Sequence, residues 1–147
     1  MFTRIVVGTD GSDTAAEAVQ QAMQLAKLTG ATVSIVSAYA PVPERRVRGE
    51  QRDAPPDVQH EIGPREDVNV VLDAAAAAAR KEGLEVQTHA VEADPADAII
   101  DVAEQTSADL IVVGNKGMTG ARRFLLGSVP NNVSHHAPCS VMIVRTT

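Results

Sequence analysis

The chain has 147 residues, 44% of them apolar, and a formal net charge of −6. That length buries one proper core, so one domain over residues 1–147 is expected, and no apolar run approaches the roughly 20 residues of a membrane-spanning helix. An acidic balance argues against non-specific nucleic-acid binding, which wants a basic face, and an opening strand-like segment in place of a signal peptide points to a cytoplasmic protein.

Short β-branched runs alternate with helical stretches along the chain, the pattern of βαβ units in an α/β fold with a parallel sheet. The first run is Arg4 to Gly8 (RIVVG). From Ser12 to Thr29, apolar residues recur at three- and four-residue intervals, which predicts a helix. Ser12 or Asp13 can cap it, Thr14 and Glu17 have capping-box spacing, and Gly30 is placed to end it. A second strand is read over Thr32 to Ala38. Pro41 to Pro64 holds five of the eight prolines together with Arg45, Arg46, Arg48 and Arg52, and no period, so it reads as a loop, either a solvated linker or a lid over a ligand. Six consecutive alanines, Ala74 to Ala79, lie inside a helix predicted over Asp67 to Glu82, small enough in side chain to lie close on a sheet. A third strand over Leu84 to Val91, a helix over Pro95 to Thr106 and a fourth strand over Asp109 to Val113 follow. A helix from about Ser128 to His136 and a last strand over Ser140 to Arg145 complete the order. Aromatic residues are 2% of the chain, so the core must be built from Val, Ile, Leu and Ala.

The chemistry concentrates where the fourth strand ends. Val113-Gly114-Asn115-Lys116-Gly117 is followed by nine residues and then Gly127-Ser128-Val129-Pro130. Glycines let backbone amides converge on an anion, and Gly127 and Ser128 stand at the start of a helix whose first N–H groups are unpaired and whose dipole end is positive. That is a phosphate seat, to which the Ser128 hydroxyl can donate. The first strand ends in Gly8-Thr9-Asp10-Gly11. In an open parallel sheet the ligand crevice lies where neighbouring strands send their chains in opposite directions, and strands one and four are the candidates. Asp10 then lies across from Gly114, where a carboxylate can accept ribose hydroxyls or help hold a divalent metal; alone, it suits equally an Asx turn entering the first helix.

These residues carry a resemblance to the universal stress protein family over nearly the whole chain. The family's motif, Gly-x2-Gly-x9-Gly-Ser/Thr, is matched by Gly114, Gly117, Gly127 and Ser128, and its acidic residue after strand one by Asp10. The resemblance implies a Rossmann-like, open five-stranded parallel sheet in order 3-2-1-4-5 with helices on both faces. It further implies adenine near Ala38, ribose near Asp10 and Gly114, and phosphates on Gly117, Gly127, Ser128 and Val129. Gly8, Thr9 and Val113 complete the expected nucleotide site. The ligand implied is ATP or a related adenine nucleotide, with Mg as a companion of ATP. The stretch Gly127 to Ser134 also resembles an actinobacterial branch that binds cyclic AMP. Many members are homodimers joined through the last strand, here about Ser140 to Arg145. One departure stands out: the loop after strand three reads Glu92-Ala93-Asp94-Pro95, with Ala where the family tends to have Gly and Asp94 adding negative charge near the phosphates. Arg122 and Arg123 can compensate by pairing with phosphate, or form a solvated basic face; Lys116 is a minor phosphate contributor.

His135, His136 and Cys139 do not make a metal site on spacing grounds, since adjacent helical residues point about 100° apart. Cys139 has no cysteine partner and reads as a small apolar residue. The last strand is apolar with Arg145 as its only charge, an edge that a twofold partner can cover. The leading function is therefore a nucleotide-responsive binding module, not an enzyme, with no catalytic residue assigned. The alternatives are a weak ATPase or other adenine-nucleotide enzyme, and a ligand-free dimerisation protein. The signatures of a nucleotidyltransferase (His-x-Gly-His), an ATP pyrophosphatase (Ser-Gly-Gly-x-Asp-Ser) and a P-loop are all missing from the sequence.

Overall fold

The computed structural model describes residues 1–40, 64–115 and 128–146. Along them run β1 (Arg4–Gly8), α1 (Asp13–Thr29), β2 (Thr32–Tyr39), α2 (Pro64–Lys81), β3 (Val86–Glu92), α3 (Pro95–Gln105), β4 (Leu110–Gly114), α4 (Ser128–His136) and β5 (Ser140–Val144). The five strands form one sheet in the order β3-β2-β1-β4-β5, every neighbouring pair parallel. The expected topology holds.

Burial explains why each run became a strand. Ile5, Val6 and Val7 of β1 are all buried, as are Leu110 to Val113 of β4, because each of these strands is covered on both faces. Alternate residues go to opposite layers. Ile5, Val7, Val33, Ile35, Leu110 and Val112 pack with α1 and α2, whereas Val6, Val36, Ile111 and Val113 pack with α3 and α4. The alanine run places Ala76 and Ala79 in the first layer, and Ala96, Ala98 and Ala103 do the same for α3 in the second. Side chains this small bring helix backbones close to the sheet without ordering long rotamers.

The ends of the elements follow local chemistry. Ser12 caps α1, its Oγ accepting from the Ala15 N–H at 3.2 Å. Thr14 does not open a capping box with Glu17: it lies two residues inside the Ser12 cap, and its hydroxyl meets Ser12 Oγ at 3.1 Å. Gly30 ends the helix with φ +75°, donating its N–H to Ala26 O. Several boundaries differ from the sequence reading by one residue, β2 running to Tyr39, β3 to Glu92 and β4 to Gly114, while α2 and α3 stop at Lys81 and Gln105. Four further differences bear on how the ends are made. β3 begins at Val86, not Leu84, because Leu84 N–H still bonds back to Ala79 O in the turn after α2. β4 begins at Leu110 because Asp109 spends its carboxylate on the start of β1. β5 ends at Val144, leaving Arg145 beyond it. Pro64, read as the last loop residue, is the first of α2, a position proline tolerates for want of an N–H. The remainder of the segment read as a loop, 41–63, lies outside the described residues.

Candidate functional site

β1, β2 and β3 succeed one another outward on one side of β1, and the chain then crosses back to place β4 on the other. The carboxyl ends of β1 and β4 are therefore the switch point of the sheet. A cleft of about 280 Å³ opens there, near the lower end of the roughly 300–1,000 Å³ usual for small-molecule sites.

Each wall has a sequence cause. Gly8 lies close under α3: a β-carbon on it would meet Ile99 Cδ1 at 2.6 Å, so glycine at this position leaves the Ile99 side chain its room against the strand end. Thr9 follows β1 with its N–H donating to Val36 O at 2.9 Å, the last rung of the β1–β2 ladder beyond the Gly8–Val36 pair. Asp10 accepts the Ser12 N–H at 2.8 Å, the Asx turn that leads into α1, and it lines the cleft as well. The two readings of Asp10 are thus compatible, since a carboxylate has acceptor capacity beyond one bond. Gly11, at φ +83°, completes the turn with Val71 of α2 packed against it. Val36 and Ala38 come from β2, two residues apart and so on one face. Asp94 sits at the N-cap position of α3 with no side-chain capping bond, and both Asp94 and Pro95 face the cleft. From the far side come Val113 and Gly114 of β4 and the first turn of α4, Ser128, Val129 and Pro130.

The expected residues Gly8, Thr9, Asp10, Ala38, Val113, Gly114, Ser128 and Val129 are all brought to this one cleft. Lys116, Gly117, Arg122 and Gly127 lie outside the described residues, as does Arg123. Ala93, which stands where the family tends to have Gly, is not among the lining residues, and its backbone is not in the left-handed region that would have demanded glycine. Its N–H meets Tyr39 O at 3.2 Å and Val91 O at 3.1 Å. Ala15, Val36 and Ile99 also line the cleft but were not singled out from sequence. For Val36 the signal was available, because strand period two puts it on the face of Ala38.

The lining is mostly apolar, and its charged members among the described residues are Asp10 and Asp94. An anionic group there would find its favourable partner in the N-terminal end of α4, where Ser128 is exposed and the helix dipole is positive. The apolar strip of Val36, Ala38 and Ile99 suits a flat, uncharged ring. Behind this strip, on the same sheet face, His89 stands beside Val36 in register. Its buried Nε2 has no hydrogen-bond partner among the described residues, and burial lowers the pKa of the ring below the ordinary value of 6.5.

Comparison with known proteins agrees with this architecture. A universal stress protein of Mycobacterium tuberculosis is 37% identical over 147 residues, covering 99% of this chain and 98% of its own. One from Bacillus subtilis is 33% identical over 99% of this chain and 100% of its own. Among solved structures, a universal stress protein in complex with cAMP superposes with a TM-score of 0.74 at 33% identity, covering 99% of both chains. Another from Archaeoglobus fulgidus, in complex with dAMP, gives 0.67 at 27% identity over 97% of this chain and 98% of its own. The model of the universal stress protein family matches residues 1–145. With the sheet order, the full-length match and these relatives in agreement, the chain belongs to the universal stress protein family.

Proposed function

We propose that this protein binds an adenine nucleotide, ATP or cyclic AMP, in the cleft between the ends of β1 and β4, and acts as a regulatory binding module. The observation that carries the reading is the meeting, in one cleft, of Asp10, Gly114 and the Ser128 end of α4 with the apolar strip Val36, Ala38 and Ile99. Those groups suit in turn a ribose, a phosphate and a purine. Binding of cAMP by one relative and of dAMP by another supports the same ligand class. The segment between Gly114 and Ser128 supplies the remaining glycines of the motif, Gly117 and Gly127, and the cations Lys116, Arg122 and Arg123 as phosphate partners. Two carboxylates in the lining, Asp10 and Asp94, make Mg a natural companion of a triphosphate, with Asp10 the residue placed to reach it.

In this reading the protein responds to nucleotide without needing to consume it. A ligand that binds only the folded state stabilises it by about 2.7 kcal/mol at a hundredfold excess over Kd. In the same reading the whole chain works as one domain in the cytoplasm, and two copies pair through β5. Met142 and Ile143 are 37% and 39% exposed on that edge strand, which favours a partner strand there. No helix among the described residues is long and apolar enough to cross a membrane.

Isothermal titration with cAMP and with ATP, each with and without Mg, is the direct test, after mass spectrometry for nucleotide carried through purification. Binding at micromolar Kd or tighter, abolished by Ser128→Trp, is the expected result. Absence of both binding and co-purified nucleotide would overturn the reading in favour of a ligand-free dimerisation protein.

A further inference from the structure

Asn115 is the residue by which the chain leaves β4, directly after Gly114 of the cleft. Three hydrogen bonds fasten it to the chain leaving β5. Its backbone N–H donates to Val144 O at 2.8 Å. Its side-chain Oδ1 accepts twice, from the Thr146 N–H at 2.9 Å and from the Thr146 hydroxyl at 3.0 Å. Gly114 is already paired with Val144 in the β4–β5 register, so this clamp carries the ladder past the last strand pair, using side-chain atoms where regular strand geometry has ended.

We propose that Asn115 is a positioning residue for the cleft, and that its clamp to Thr146 holds the Gly114 backbone in the place where it meets ligand. The inference rests on the nucleotide reading above and deepens it. Glycine has more backbone freedom than any other residue, and the end of a parallel strand is where a ladder frays. A cleft wall built on such a residue is preorganised only if something beyond it is fixed, and preorganisation is what spares a ligand the cost of ordering its site. Asn115 supplies that fixed point through one amide oxygen serving two donors of a single residue. The bonds also make the segment after β5 a working part of a site it does not line.

The test is a double-mutant cycle on the full chain, read by titration with cAMP and with ATP plus Mg, together with amide hydrogen exchange at Thr146. Asn115→Ala removes the acceptor of both Thr146 donors and should weaken binding about tenfold; Thr146→Ala removes one donor and should cost about threefold, at about 1 kcal/mol or less per bond. Because both changes break the same clamp, the double variant should bind no more weakly than Asn115→Ala alone. Thr146→Ser, which keeps both donors, should bind as the unaltered protein does and shows that the clamp, not the bulk of residue 146, is read. Thr146 exchange should speed up in Asn115→Ala while amides of β1 stay protected, which separates loss of the clamp from loss of fold. Unchanged affinity in Asn115→Ala, or losses that multiply in the double variant, overturns the positioning role. Failure of the unaltered protein to bind either nucleotide overturns the nucleotide reading itself, and with it any ligand role for the clamp, even where Thr146 exchange reports that the clamp exists.

Discussion

Replacing Gly8 by alanine probes the tightest contact at the cleft and allows its own rescue. The added methyl meets Ile99 Cδ1 at 2.6 Å and Cγ1 at 3.1 Å. Ile99 is 4% exposed, so its side chain must shift either into the packed layer or toward the cleft it also lines. Overpacking of this kind costs about 1–3 kcal/mol, and the loss of unfolded-state freedom on replacing glycine returns about 0.4–1 kcal/mol, because Gly8 does not need a positive φ. A net destabilisation of about 1–2 kcal/mol follows. Ile99→Val deletes Cδ1, the atom in conflict, and alone costs about 0.5–1.5 kcal/mol. If the 2.6 Å contact is the cause, the pair Gly8→Ala, Ile99→Val is no less stable than Gly8→Ala alone, and the coupling is about 1 kcal/mol. Urea unfolding followed by far-ultraviolet circular dichroism is the assay, since the chain has no tryptophan to report by fluorescence. Strict additivity, with the pair losing the sum of the single changes, would refute the steric argument.

Other outcomes follow from the same structure. Ser12→Ala leaves the Ala15 N–H without its cap and should cost about 1 kcal/mol, a fall in Tm of roughly 2–4 °C for a chain of this size, whereas Ser12→Asp should hold close to the starting value. Burial lowers the pKa of His89, so below its ordinary 6.5 the unfolded chain takes up the proton first and stability falls as pH drops through and below that value; His89→Gln should flatten this limb of the stability–pH curve. Asp109 behaves as the carboxylate counterpart. Desolvation pulls its pKa up, but hydrogen bonds from Thr3 N–H at 2.8 Å, Thr3 hydroxyl at 2.9 Å and Arg4 N–H at 3.1 Å outweigh it and hold the group below its ordinary 3.8. Its contribution is thus complete above pH 3.8 and lost as pH falls through the lowered value, and Asp109→Asn should remove that acid limb without altering the neutral-pH behaviour of His89. Met142→Lys with Ile143→Glu should leave the unfolding transition nearly unchanged while shifting sedimentation toward a monomer, if β5 is the pairing edge.

The fold was legible because its signals were redundant. RIVVG and DLIVV read as doubly covered strands once flanked by helices of small residues, and Gly30 marked a helix end because glycine adopts the left-handed conformation without penalty. Boundaries were less so, since they depend on partners far away in sequence: Asp109 reads as a strand residue until its carboxylate is seen capping the start of β1, and Leu84 until its N–H is seen bonded back into α2. The cleft was half legible. Glycines and Asp10 announced themselves by type and spacing, while Ile99 and Asn115 did not. Ile99 matters for the atom it presents to Gly8, and Asn115 for an acceptor shared by two donors 31 positions on; neither fact is carried by a local pattern.

The position of β1 in the middle of the sheet has a consequence for how the chain is made. Its partner on one side, β2, follows within about one helix, but the register Val6 with Ile111 joins it to a strand more than 100 positions later, and the Thr3–Asp109 bonds span 106. At a synthesis rate of about 5–20 residues per second, β1 waits roughly 5–20 s with one edge unpaired before β4 exists to cover it. Until then the nascent chain has β1–β2–β3 with α1 and α2 on one face, but neither β4 nor the start of α4, so it has no cleft. Competence to hold a ligand therefore arrives only with the last third of the chain, after most of the first layer can already have formed.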